Sequence, residues 1–359
     1  MLSVTRRTFV LGLAGASAAY IALPPPIGKA APAQTISWPS RVVPLPASDD
    51  EKRPPVITAL RLHQAGQWLA TAGDDHQVRV WNLEDGRLLY RLEAHTDWVR
   101  TIDYSPDGKL LASAGNDGRI ILWDAATGEK TAEFTSPLHA IAAIRFSHDG
   151  AKLATVGFEG TIRLYDVSTR QTIVEAAAPC KDMRAVAFSP DDSILAAGGR
   201  CGAIRLLSVA QGALIRDIPA HRMRIRAIVF SPDGLHIASS GDDRLIHVVP
   251  LTEGARGFNL PPRPSKVMAL AFCSPTQLAA AGSDNLIRVW DIAEQREVGQ
   301  LTGHTGSIAA LECHGEVLVS AGYDTTVRVW SIGDRVAGSE GAAPRLGSKP
   351  GIESQPRSR

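Results

Sequence analysis

The 359 residues carry 38 basic and 37 acidic side chains, a net charge of +1. That balance excludes binding to nucleic acid through bulk positive charge. Thirty-two glycines and 23 prolines suit a loop-rich chain of short strands. The chain opens on Arg6-Arg7, followed by an apolar run from Leu11 to Leu23, then Pro24-Pro25-Pro26 and Ala31-Pro32-Ala33. The run is too short and too rich in Ala and Gly for an ordinary spanning helix. Ala31-Pro32-Ala33 fits the small-x-small pattern read by signal peptidase. No Cys follows the run directly, so no lipid attachment is offered. Residues 1–33 hold three basic residues and no acid, so a chain cut at Gln34 carries 35 basic (38 − 3) and 37 acidic residues, net −2.

From residue 40 onward a repeat dominates. Trp81, Trp123, Tyr165, Leu207, Val249, Trp290 and Trp330 follow one another at intervals of 42, 42, 42, 42, 41 and 40 residues. A turn sequence recurs at Ser105–Gly108, Ser147–Gly150, Ser189–Asp192 and Ser231–Gly234. An acid precedes the aromatic by six positions at Asp75, Asp117, Glu159, Asp243, Asp284 and Asp324. Within one unit, 97–104 and 119–123 are short and rich in β-branched and aromatic residues. Leu110-Leu111-Ala112 adds a further apolar run, and 129–134 is an amphipathic one beyond the Ala126-Thr127-Gly128 turn. Each unit therefore predicts four strands and no helix. A four-stranded twisted sheet cannot bury both faces alone, so the units must cover one another.

This grammar, over roughly residues 40–337, resembles the WD-repeat family. The resemblance implies an all-β fold: a single seven-bladed β-propeller with four antiparallel strands per blade. It also implies a buried relay of Trp, Ser or Thr, Asp and His in each well-kept blade. Blade 2 matches with His95, Ser113, Asp117 and Trp123, and blade 7 with His304, Ser320, Asp324 and Trp330. Blade 5 keeps His221, Ser239 and Asp243 but has Val249 in place of Trp. Blade 1 has Thr71, Asp75 and Trp81 but no His. Ser/His/Asp sets invite thoughts of hydrolysis, yet these recur at repeat spacing and read as structural pins.

At the N-terminus, Thr5-Arg6-Arg7-Thr8-Phe9-Val10 is similar to the twin-arginine export consensus. The expected organisation is a leader over 1–33 cleaved near Ala33, a propeller over 34–337, and a solvated Gly/Ser/Pro/Arg tail over 338–359. The mature chain is then periplasmic or otherwise exported from a bacterium, a monomer without a stable membrane anchor. A mitochondrial transit peptide or an uncleaved anchor are the other readings. Ring closure needs a terminal strand. Arg41–Leu45 pairing with Val327–Trp330 is expected, with Arg335-Val336-Ala337 as the competing candidate.

Motifs for zinc, haem attachment, phosphate loops and nucleophile elbows are absent from the sequence. No cofactor, metal or catalytic residue is expected, and no nucleic-acid partner. The family resemblance instead implies partner contacts on the face carrying the loops between blades. Carried over position by position, it points to Asp74, Asn116, Phe158, Arg200, Asp242, Ser283 and Tyr323 just before the relay acids. Flanking the first apolar residue of the inner strands it points to Trp98 and Arg100, Asp182 and Arg184, Arg224 and Arg226, and Lys266 and Met268. Trp98, Arg100, Phe158, Arg184, Arg200, Arg224, Arg226, Lys266 and Tyr323 form the expected partner-binding set, since Arg and aromatics dominate binding hot spots. The alternatives are that these arginines merely pair with Asp182 and Asp242, or that they hold an anionic ligand of an enzyme. Cys201 stands where other blades have the relay acid, and Cys180 lies beside the vacant His position. A Cys180–Cys201 disulfide would restore the tie in an oxidising compartment, against two separate thiols. Cys273 and Cys313, on the inner strands of blades 6 and 7, are expected as separate buried thiols.

Overall fold

The computed structural model describes residues 40–43, 55–135 and 140–332. Leader residues 1–33, the competing closure candidate 335–337 and the tail 338–359 lie outside them, as do Pro44 and Leu45. Twenty-eight strands form seven four-stranded antiparallel sheets, with no helix among the described residues. Six sheets use four consecutive strands. In blade 2 these are Val99–Tyr104, Leu110–Gly115, Arg119–Asp124 and Lys130–Thr135. The seven repeat residues are equivalent: each is the penultimate residue of its blade's third strand, opposite a Leu or Ile of the second. Thus Trp81 faces Leu69, Leu207 faces Leu195, Val249 faces Ile237 and Trp330 faces Leu318.

The core lies between blades. In one layer Ala70, Ala72, Val78 and Val80 of blade 1 pack on Val99, Ile102, Leu111, Ile121 and Trp123 of blade 2. The small residues of the second strands let neighbouring sheets close to contact. Every blade has such a layer on each side, including blade 7 against blade 1. The seventh sheet is completed by Ser40–Val43, which pairs antiparallel with Val327–Ser331 in the register Ser40↔Trp330 to Val43↔Val327. Val43 is 1% exposed and packs with Ile57, Leu60 and Trp81 of blade 1. The Arg41 guanidinium donates to the Leu83 and Glu84 carbonyls of blade 1.

Every inner strand carries a β-bulge one residue from its start. The extra residues are Thr58, Arg100, Ala142, Arg184, Arg226, Met268 and Ala309. Opposite the bulge the second strand ends in Gly. A Cβ on Gly115 would lie 2.0 Å from the Trp98 carbonyl oxygen, and one on Gly282 1.8 Å from that of Lys266.

The closing strand holds the first and last blades together, so its buried side chain is sensitive. Replacing Val43 with Asp puts an unpaired carboxylate into the layer between blades 7 and 1, and should cost on the order of 3 kcal/mol. Denaturant unfolding measures it; an unchanged midpoint would mean that the ring does not depend on this strand.

Candidate functional site

Bulges set the rim. A bulge redirects the side chain of its extra residue, and Arg100, Arg184, Arg226 and Met268 thereby line the narrow loop-face end of the central channel, a cavity of about 140 Å³. A second row is fastened beside them by backbone hydrogen bonds between blade loop and strand turn. Asn116 N donates to Trp98 O at 3.0 Å, Arg200 N to Asp182 O at 3.0 Å, Asp242 N to Arg224 O at 2.8 Å, and Ser283 N to Lys266 O at 3.1 Å. Tyr323 N donates to Ser307 O at 2.8 Å in the same way. Residues some 18 apart in sequence are thus neighbours on one surface.

Their side chains form a continuous band. The Arg100 guanidinium lies 6.0 Å from the Trp98 ring centroid and 5.6 Å from that of Phe158, and Arg184 lies 4.4 Å over Phe158. Arg100 also donates to the Asn116 side-chain carbonyl. Burial pushes the Arg100 and Arg184 guanidinium groups below their usual range, against the opposing pull of Asp97 and Asp182. Further round, Arg184 and Arg224 share Asp182 at 2.6 and 2.7 Å, while Arg226 and Lys266 share Asp242 at 2.8 and 4.0 Å. Burial works against the Asp242 charge, but the Arg226 hydrogen bonds and the nearby cations hold its carboxyl below the usual range. Two carboxylates therefore serve four cations, and the band keeps positive charge. Trp98 and Tyr323 are 45% and 49% exposed. Arg200 is exposed, and its side chain has no ion pair among the described residues. All nine expected rim residues lie on this face, and the pairing with Asp182 and Asp242 is present as well.

Relay sets occupy the blade interiors instead. In blade 2, Trp123 Nε1 donates to Ser113 Oγ at 2.8 Å; His95 Nε2 lies 2.8 Å from that oxygen and His95 Nδ1 2.9 Å from Asp117. Blade 7 repeats this with Trp330, Ser320, His304 and Asp324 at 2.8, 2.7 and 2.7 Å. Blade 5 keeps His221 between Ser239 and Asp243 at 2.9 and 3.0 Å. Burial pushes His221 and His304 below the usual imidazole range. The serine oxygens, with no measurable exposure, face Trp or His, so these sets tie loops to sheets. Blade 6 departs: Arg263 takes the His place and reaches Asp284 at 3.1 Å, and Trp290 Nε1 is buried without a partner among the described residues because Ala280 replaces Ser.

Cys180 and Cys201 are joined, with Cα atoms 6.0 Å apart, at the loop-to-turn tie of blade 4. The expectation of separate thiols at Cys273 and Cys313 is corrected: they too are joined, Cα 5.2 Å apart, linking blade 6 to blade 7. Adjacent inner strands converge on the axis. Cys273, one residue beyond Val267–Phe272, therefore meets Cys313 of Ile308–His314.

One cluster was missed by the sequence reading. At the fifth position of successive inner strands stand Glu312, Arg61, Asp103 and Arg145, from blades 7, 1, 2 and 3. Glu312 accepts from Leu62 N at 2.7 Å, Asp103 from Phe146 N at 2.8 Å, and Arg61 donates to Asp103 at 2.8 Å. Each carboxylate caps an edge N–H of the next blade. Burial opposes the Arg61 charge, but Glu312 and Asp103 hold it above its usual value. The signal available was the repeat itself: aligned units show Ala187, Val229 and Ala271 at the same position in blades 4–6.

The family model of the WD domain, G-beta repeat, matches seven segments: residues 50–82, 86–124, 128–166, 174–207, 212–249, 259–291 and 295–331. Among curated proteins, the chain is 42% identical over 45 residues to the nuclear distribution protein PAC1 of Mycosarcoma maydis, covering 12% of this chain and 10% of that protein. It is 42% identical over 41 residues to ribosome assembly protein 4 of Chaetomium thermophilum, 11% of this chain and 8% of the other. It is 44% identical over 46 residues to the lissencephaly-1 homolog of Heterostelium pallidum, 13% and 11% respectively. The chain spans about a tenth of the length of the curated relatives it matches.

Burial pushes the Glu312 carboxyl up to about 7, with the Arg61 charge opposing. An acid raised on folding contributes stability that is complete below its unfolded value, about 4.3, and is lost as pH rises through the folded one. The stability of the native chain relative to Glu312→Gln should thus fall as pH rises from about 4.5 to 7 and level off above. Denaturant midpoints across that window read the difference, and a flat difference contradicts the assignment.

Proposed function

This chain belongs to the WD domain, G-beta repeat family, and from that premise we propose that it is a non-catalytic scaffold that takes up a protein segment on its loop face. The observation that carries this is the band from Trp98 through Arg100, Phe158 and Arg184 to Arg224, Arg226 and Lys266, with Arg200 and Tyr323 beside it. Exposed aromatics supply apolar contact at low entropic cost, and Arg in π contact is a typical hot-spot residue. The excess of cations over carboxylates selects a segment carrying Asp or Glu next to a large apolar side chain. Two of the relatives are named for nuclear distribution and for ribosome assembly rather than for a reaction. Because Asp182 and Asp242 already engage four of the cations, a small anion would compete with built-in carboxylates. A peptide can use the aromatics as well.

Export through the twin-arginine route belongs to the same proposal. Its support is Thr5–Val10 with the apolar run behind it, and the pairing of all four cysteines, an arrangement suited to an oxidising compartment. That route carries folded substrates, which fits a ring closed by a strand near its N-terminus.

A random peptide library displayed against the purified propeller should enrich segments that combine acids with aromatic or aliphatic residues. Trp98→Ala with Arg200→Glu should lower their affinity at least tenfold while the melting temperature holds, since both side chains are exposed and surface changes cost about 0.5 kcal/mol or less. Enriched peptides that ignore these substitutions would place the interaction on another face. Replacing Arg6 and Arg7 by Lys should leave the protein in the cytoplasm with its leader uncleaved. Normal export of that variant rejects the twin-arginine reading.

A further inference from the structure

The opposite end of the channel differs in kind from the loop face. Between the Pro106, Pro190 and Pro232 turns it opens into a cavity of about 580 Å³, within the usual size range for small-molecule sites. One side of its floor is charged, from Glu312, Arg61, Asp103 and Arg145, and the other is apolar, from Ala187, Val229 and Ala271. Phe188, Phe230 and Phe272 line the wall above the apolar side.

The charged side holds two carboxylates and two guanidinium groups, but they are not all paired. Arg61 and Asp103 satisfy each other at 2.8 Å. Arg145 has no ion pair among the described residues; its one hydrogen bond there is to the Ile144 carbonyl at 2.6 Å. Its exposed part borders the channel. Burial, with Arg61 nearby, pushes this guanidinium down to about 10, so it remains charged at neutral pH. The Tyr104 hydroxyl is also buried without a partner among the described residues, in a residue only 8% exposed that lines the same cavity. A half-buried cation without an ion pair and a buried orphan hydroxyl each carry a cost that a bound acceptor would remove.

We propose that this vestibule binds a small molecule bearing one carboxylate on an apolar body, with Arg145 and Tyr104 taking the carboxylate and the three phenylalanines surrounding the rest. A planar guanidinium matches a carboxylate with two parallel N–H···O bonds. Asp103 beside it disfavours a dianion such as a phosphate monoester, since like charges at close range repel strongly in a poorly solvated site. The fork therefore selects charge and shape, and the apolar wall selects the body.

The test is calorimetric titration of the folded propeller with 4-phenylbutyrate, its neutral amide and 4-phenylbutylamine. A peptide ending in a free Phe carboxylate forms a further arm. The acid should bind and the amide and amine should be at least tenfold weaker. Binding of the terminal peptide alone would identify a chain end as the source of the same carboxylate. Arg145→Gln should remove the preference for acid over amide. Val229→Phe, which fills the apolar side and leaves every charge in place, should abolish binding even if Arg145→Gln fails to fold. Trp98→Ala with Arg200→Glu, which weakens peptide capture on the other face, should leave the affinity for 4-phenylbutyrate as it is. Equal affinity for acid and amide, no binding of any probe at millimolar concentration, or full binding by Val229→Phe would overturn the proposal.

Discussion

Burial between blades is the interaction on which everything else depends. No blade has a core of its own. The Ala and Val residues of each second and third strand are covered only when the next inner strand lies against them. An open array would leave two such faces in water, so the ring must close, and strand Ser40–Val43 closes it by supplying the outer strand of blade 7. Small side chains at Ala70, Ala112, Ala154, Ala196 and Ala238 bring the sheets near, and their exposure is 0% in each case. Larger residues at these places would force the blades apart at the axis.

Closing the ring creates a second problem, which explains where the candidate side chains lie. The free edges of seven inner strands face a narrow channel with little room for water, and their polar groups need partners. Blades 7 and 2 solve this with Glu312 and Asp103, which cap Leu62 N and Phe146 N, and Thr101 accepts from Ile144 N at 3.1 Å. Bulges solve the other end by turning one residue per blade out of register towards the mouth. Neither device prescribes which side chain is used. The repeat can therefore keep its packing while Arg100, Arg184, Arg226 and Met268 diversify the rim, and Arg145 the opposite vestibule.

Polar ties hold the loops that this variation depends on. His95, His221 and His304 fasten loops in blades 2, 5 and 7, a disulfide does so in blade 4, and Arg263 in blade 6. In blade 4 the turn also departs: Asp192, at φ 55°, replaces the usual Gly and accepts from His148 N and Asp149 N of blade 3 at 2.8 Å each. Here a residue that looks like an imperfect repeat unit is a clasp between neighbours.

The seven units and their four strands were legible because they rest on local patterns, namely strand alternation, turn residues and a 42-residue period, and the relay positions were legible through the family resemblance. The rim residues were legible through the family resemblance, since each repeat has a fixed place for them. What the tertiary structure decided was which residues meet across blades. Cys273 and Cys313 are 40 residues apart and look independent, but converge on the axis with Cα atoms 5.2 Å apart. Glu312 and Arg61 are 251 positions apart in the sequence (312 − 61), yet stand side by side because closure puts blade 7 next to blade 1. The sequence determines each blade because strand-forming contacts are near neighbours along the chain. The channel belongs to the closed ring alone, because its chemistry is made of one residue from each of several blades.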